Sequence, residues 1–183
     1  QYLALRNAAE TLTPGLECVH YNDQNDFTLQ YPLLLAPLRM GDSDKDILRK
    51  LRVVAAYIDI LITRRIWNFK AIDYSSMQYA MFLVMKEIRG KSAAEVAKLL
   101  NLRLMNEPDL AFAANDRFYL HGMNGRQIHR ILARMTDYVE TESGMPSGYA
   151  EYIQGSGKKG YEIEHIWANH PEQHKDEFEH PQD

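Results

Sequence analysis

The sequence predicts an all-α fold, a multi-helix bundle through about residue 150 that leads into a polar, glycine-marked tail. Three observations predict it. Apolar residues recur at i, i+3 and i+4 over several long stretches, the spacing that puts them on one face of a helix. Polar helix-start signals stand at the head of those stretches. Strand-like alternation is confined to the short run Tyr161–Ile166.

Residues 2–12 place Leu3, Leu5, Ala8, Ala9 and Leu12 in a loose helical pattern that Pro14-Gly15 stops. From Leu16 to Met40 the polar run Asn22–Asp26 predicts a loop. Tyr31–Pro37 then predicts a short buried helix or turn bounded by its prolines. Gly41-Asp42-Ser43-Asp44 starts the next helix, with acidic residues where the helix dipole favours them. That helix should run to about Trp67. Ile47, Leu48, Leu51, Val54, Ala55, Ile58, Leu61 and Ile62 form its main apolar face, and Val53, Ala56, Tyr57 and Ile60 add a second side. It is therefore expected to be central, covered on most of its circumference.

Tyr74-Ser75-Ser76 opens another helix, with Met77, Ala80, Met81, Val84, Met85 and Ile88 in register and Gly90 ending it. Its methionines read as ordinary core. Ser92-Ala93-Ala94-Glu95 is a capping box for a helix through Val96, Leu99, Leu100 and Leu104, stopped near Pro108. Residues 109–123 are less regular, with Phe118-Tyr119-Leu120 packing as a short helix or an extended piece. Asn124 caps a long helix to about Glu140, whose apolar face carries Ile128, Ile131, Leu132, Met135 and Val139. After Ser143-Gly144 the composition turns to Gly, Ser, Lys and Tyr.

Composition narrows the function classes. The chain is 45% hydrophobic and 25% charged over 183 residues, the balance of a globular domain that can bury a core without disulfides. A formal net charge of −4 supplies no global attraction to nucleic acid, so any such contact needs local basic patches. The single Cys18 excludes an intramolecular disulfide and a cysteine-based zinc cluster, and a lone thiol fits a reducing, cytoplasmic setting. No apolar run approaches the roughly 20 residues of a membrane span, so no membrane partner is expected. The chain begins at Gln1 and stops at Asp183 inside a polar segment, and it is expected to be a piece of a longer protein.

Four of the seven histidines, His165, His170, His174 and His180, fall in the last 19 residues, interleaved with Glu162, Glu164, Asp176, Glu177, Glu179 and Asp183. Such a tail is often only a solvated terminus. Here the apolar Ile163, Ile166 and Trp167 flank Glu164-His165, which points to a packed element. On a strand, adjacent side chains leave opposite faces, so one can meet a metal while the other addresses water.

The run Tyr161-Glu162-Ile163-Glu164-His165-Ile166 resembles the first strand of the C-terminal nuclease domain of GmrSD-type modification-dependent restriction endonucleases, members of the HNH, or His-Me finger, superfamily. In that family an acidic residue, His and Ile begin a ββα-metal finger. The resemblance implies that His165 is the general base and Glu164 a metal ligand or a support to one. It also implies a divalent cation, Mg²⁺ or Mn²⁺ first and Zn²⁺ second, and modified phage DNA as substrate. The residue types suit the chemistry: a neutral imidazole near pH 7 can take a proton from water, and a divalent cation stabilises charge developing on a phosphodiester.

The specific match covers Tyr161–Asp183. Where relatives commonly carry Pro three residues after the His, this chain has Ala168. The Asn and the last metal-binding residue of the finger are expected beyond Asp183, so this piece alone is expected to be inactive or nearly so. The helical region matches more loosely, as the linker domain between an N-terminal nucleotide-hydrolysing domain and the nuclease. That N-terminal domain or subunit is an expected partner of the intact protein; its Asp-Gly-Gln-Gln-Arg-like motif is not in this sequence.

Other basic groups are weaker candidates. Arg126, Arg130 and Arg134 recur every four residues, lining the side of their helix opposite its apolar face. They read as a track for DNA phosphates or as a solvated face bridged to Asp137 or Glu140. Arg64-Arg65 with Lys70 is a weaker form of the same pattern. Gly155–Gly160 fails as a phosphate loop: Tyr152 stands where the first Gly belongs and Lys159 where Ser or Thr belongs. The stretch reads as a flexible connection, with Lys158 and Lys159 near DNA. His170 and His174 allow a zinc pair on one helical turn, whereas His121 and His129 read as structural.

The resulting expectation is a helical domain over residues 1–150, then a linker and an incomplete HNH-like finger over 151–183. The intact protein would be an endonuclease of an anti-phage restriction system. The rival classes are a non-catalytic helical scaffold or interaction domain with an incidental His-rich tail, and a small regulatory metal-binding domain.

Overall fold

The computed structural model describes residues 1–120, 124–154, 161 and 163. Its regular elements are helices throughout, with no strand among the described residues. The chain divides into two compact units, Gln1–Tyr119 and Leu120–Asp183.

The first unit contains α1 (Tyr2–Glu10), α2 (Glu17–Gln24), α3 (Gln30–Leu35), α4 (Asp44–Trp67), α5 (Tyr74–Ile88) and α6 (Ala93–Met105), followed by two 3₁₀ turns, Pro108–Leu110 and Phe112–Ala114. α4 is the axis: α2, α3 and α6 pack on it, and α5 bridges α3 and α6. Leu5, Val19, Leu33, Leu34, Val54, Ile58, Ile62, Val84, Ile88 and Val96 are buried in one continuous core. Met77 and Met81 belong to it, and Met85 packs at its margin.

Capping fixes where these helices begin. The Ser43 hydroxyl accepts from the Asp46 N–H at 3.2 Å, starting α4. Asp73 accepts from the Ser76 N–H at 3.0 Å and from the Ser75 and Ser76 hydroxyls. These donors, Ser75 first, hold the Asp73 carboxyl well below the usual carboxylate range. At α6 the capping box is complete: the Glu95 N–H donates to Ser92 Oγ and the Ser92 N–H to Glu95 Oε2. Gly90 ends α5 at φ +60, a left-handed backbone that costs glycine least, and its N–H donates to the Ala36 carbonyl at 3.2 Å.

One segment of this unit differs from the expectation. The loop expected between Leu16 and the short helix at Tyr31–Pro37 is helical over its first half, because α2 spans Glu17–Gln24. Asn22 is fully buried and its side-chain amide donates to the Ala55 carbonyl of α4 at 3.2 Å. A tertiary partner thus keeps a residue that favours turns inside a helix. Lys50 and Asp59 of α4 are buried as well. Lys50 is 2% exposed, and its ammonium donates to the Pro37 carbonyl at 2.9 Å and to Asp42 at 2.6 Å, tying the α3–α4 connection to the helix. The Lys50 hydrogen bond first, and the Arg39 N–H after it, lower the Asp42 pKa.

The second unit contains α7 (Gly125–Glu142) and α8 (Tyr149–Gln154), packed on each other. α8 was not foreseen, since the residues after Ser143 read as irregular. Its start is capped from outside: Asp137 Oδ1 accepts from Ser147 Oγ at 2.7 Å and from the Gly148 and Tyr149 N–H groups at 2.9 and 3.0 Å. A cap drawn from another helix leaves no local sequence signal.

Candidate nucleic-acid interface

Glu164 and His165, the predicted ligand and base, lie outside the described residues, as do Lys158, Lys159, His121, His170 and His174. Among the described residues no group of three His, Cys, Asp or Glu side chains is arranged to hold a metal ion. No described helix is long and apolar enough to cross a membrane. Tyr161 is described and stands beside α8: its ring meets Tyr152 edge-on at 5.2 Å between centroids, and its hydroxyl donates to Glu151 at 3.3 Å.

The arginine row can be placed. Arg126, Arg130 and Arg134 lie on α7, Arg126 exposed and the other two half-buried. Helical spacing puts them on the same side as Ala133, Asp137 and Glu140. Ala133 is buried, Asp137 caps α8, and Glu140 Oε2 accepts from the Tyr152 hydroxyl at 2.5 Å. That hydrogen bond is the main reason the Tyr152 phenol is pushed up to about 12. The two acids proposed as bridges for the arginines therefore also serve α8. All three arginines are engaged in interactions.

The apolar face of α7 departs from expectation. Ile128 is buried, but Leu132, Met135 and Val139 are exposed, as is Tyr138 beside them, at 41%, 60%, 63% and 65%. The side of α7 that α8 uses is the one carrying Ala133, Asp137 and Glu140, so the larger apolar side chains stay outside that contact.

The first unit holds a feature that periodicity did not show. Arg64 and Arg65 lie in the last turn of α4 and Lys70 just beyond it, and at this end of the helix five aromatic rings assemble. Trp67 stacks on Phe118 at 4.2 Å and meets Phe112 edge-on at 5.5 Å, while Phe69 lies 5.9 Å from both Phe118 and Tyr119. The backbone beneath is tightly tied. Trp67 Nε1 donates to the Phe112 and Asn115 carbonyls, both at 3.1 Å, and Asn115 Nδ2 returns a bond to the Trp67 carbonyl. Asn68 Nδ2 reaches the Arg64 and Ala111 carbonyls. Arg64 and Arg65 each spend a donor on a backbone carbonyl, Leu104 at 3.0 Å and Ala71 at 2.8 Å.

Phe69 sits at φ +53, a left-handed backbone that costs a non-glycine residue about 1 kcal/mol or more. Its ring is nonetheless 48% exposed, and Phe112 and Tyr119 are 46% and 62% exposed. The rings come from Trp67–Phe69 and from Phe112–Tyr119, about 45 residues apart, and only the tertiary fold joins them. A short-range signal did exist: residues 60–72 carry three cations, two aromatics and no acid.

Comparison with known proteins assigns no family: no family model, no curated protein and no solved structure matches the chain.

Proposed function

We propose that this chain is the helical body and the opening strand of a ββα-metal finger in a metal-dependent DNA endonuclease, one that acts on modified phage DNA in a restriction system. The observation that carries the reading is the run Tyr161–Ile166, where Glu164 and His165 are adjacent between apolar residues. In this reading His165 accepts a proton from the attacking water as the new oxygen–phosphorus bond forms and the phosphodiester oxygen leaves. The Glu164 carboxylate is a hard oxygen donor that suits Mg²⁺ or Mn²⁺, with Zn²⁺ second, and a single carboxylate needs further ligands from the intact protein. Such a cation, when bound, neutralises charge building on the phosphate. Arg126, Arg130 and Arg134, with Lys158 and Lys159, would follow the DNA backbone by charge without reading sequence. An N-terminal nucleotide-hydrolysing domain or subunit is the expected partner, and the cytoplasm the expected compartment.

The test uses an intact protein that carries this chain. It should nick DNA in Mg²⁺ or Mn²⁺, and His165→Ala should lower the nicking rate by at least about a hundredfold, the scale of general-base catalysis. Undiminished nicking by His165→Ala would end the assignment. A second reading, a non-catalytic helical interaction domain, draws on the exposed Leu132, Met135, Tyr138 and Val139 of α7. It would be favoured by an intact protein that does not cleave DNA in either metal.

A further inference from the structure

We propose that the aromatic cluster at the end of α4 is a stacking platform for unpaired bases of a nucleic acid strand. The nuclease reading supplies only the choice of nucleic acid as partner; the platform itself rests on the geometry of the first unit. Two requirements of single-strand binding meet there. One is a set of rings with exposed surface on which successive bases can stack, which tolerates any sequence because every base presents a π-face. Phe69, Phe112 and Tyr119 supply that surface, with Trp67 and Phe118 packed among them. The other is positive charge beside the rings to meet the phosphates. Arg65 and Lys70 supply it from a segment, residues 60–72, that contains no acidic residue, whereas Arg64 is half-buried and turned to the Leu104 carbonyl.

Rigidity adds to the case. A platform that is ordered before binding loses little entropy when a base lands on it. The hydrogen bonds from Trp67, Asn68 and Asn115 fix both ring-bearing segments. Phe69 keeps its left-handed backbone with its ring half exposed, so ring burial alone does not account for its conformation. The facing segment adds Arg117 but also Glu107, Asp109 and Asp116, with Arg117 at 4.0 Å from Asp116. The accessible positive charge therefore lies on the Arg65–Lys70 side, and the strand's phosphates would run along that side.

The probe is a fluorescein-labelled twelve-residue oligo-dT, titrated with the purified 183-residue chain in low salt and in chelator. Anisotropy and Trp emission are followed, with a blunt duplex of equal length for comparison. The chain should bind oligo-dT more tightly than the duplex. Phe69→Asn, which tolerates the left-handed backbone, and Tyr119→Ala should each weaken oligo-dT binding about five- to tenfold. Tyr119→Phe, which keeps a ring, should bind like the parent. Circular dichroism checks that each variant is folded.

Equal affinity of the Phe69→Asn/Tyr119→Ala double variant and the parent would overturn the platform. So would absence of oligo-dT binding. If the chain instead self-associates in sedimentation and the double variant abolishes that association without any oligo-dT binding, the cluster is a protein contact. Metal-dependent nicking without oligo-dT binding removes the platform alone; oligo-dT binding in an intact protein that cannot nick removes the nuclease alone.

Discussion

α4 and α7 are the longest helices among the described residues of their units, 24 and 18 residues, and both space apolar residues at helical intervals. In α4, Leu51, Val54, Ala55, Ile58, Leu61 and Ile62 are buried among α2, α3 and α6. In α7, Ile128 is buried but Leu132, Met135, Tyr138 and Val139 are exposed, and α8 packs where Ala133, Asp137 and Glu140 lie. The same pattern thus ends in two environments. Periodicity identifies the face that would gain from burial; it does not supply the surface that covers it. α4 has three neighbours able to do so. α8 is six residues long, and its position is set by hydrogen bonds to Asp137 and Glu140.

The comparison can be broken most forcefully in α4. Ile58 is 0% exposed at the middle of the core. Ile58→Ala should cost about 2–5 kcal/mol by removing buried carbons and leaving a cavity. Urea or guanidinium unfolding of the parent and the variant measures it, and a loss below about 1 kcal/mol would mean that α4 is not the axis of the unit.

A smaller effect is expected where α4 breaks its own apolar rule. Lys50→Met removes a charge that holds the Pro37 carbonyl and Asp42, and should cost about 2 kcal/mol, the scale of hydrogen bonds to a charged group. The linked pH effect follows from the direction of the Asp42 shift. Its folded-state pKa is lowered, so its contribution is fully present above its unfolded value near about 4. That contribution is lost as pH falls through the folded value. The parent should lose more stability between about pH 5 and 2 than Asp42→Asn does. Parallel pH profiles would show that the ion pair contributes nothing.

What could be read in advance follows the range of the interactions. Helices α4, α5 and α6 were legible because local polar residues mark their starts and Gly90 stops the chain locally, although the cap of α5 is Asp73, one residue before the Tyr74-Ser75-Ser76 run that predicted it. α8 was not legible, because its cap comes from Asp137 on α7. α2, read as a loop, was hidden for a related reason, since the Ala55 carbonyl that receives the Asn22 amide is on α4. At the candidate interface, spacing placed the arginines on one side of α7. The ring cluster needed the fold, since Trp67 and Phe69 meet Phe112, Phe118 and Tyr119 only after the turns beyond α6 return to the end of α4. Glu164 and His165 were named from the run around them, and their geometry lies outside the described residues.

The weakest expected effect sharpens the contrast most. Met135 is 60% exposed on α7, so Met135→Gln exchanges one long, flexible, exposed side chain for another of similar helix propensity. Its unfolding free energy should stay within about 0.5 kcal/mol of the parent, as for surface positions away from caps and buried pairs. The same change at Met81, 2% exposed on α5, buries an amide without a partner and should cost several times more. The two residues are chemically identical before substitution, so the difference reports only their surroundings. If Met135→Gln costs as much as Met81→Gln, the α7 face is covered when the protein is folded in solution, and α7 and α4 would then dispose of their apolar faces in the same way.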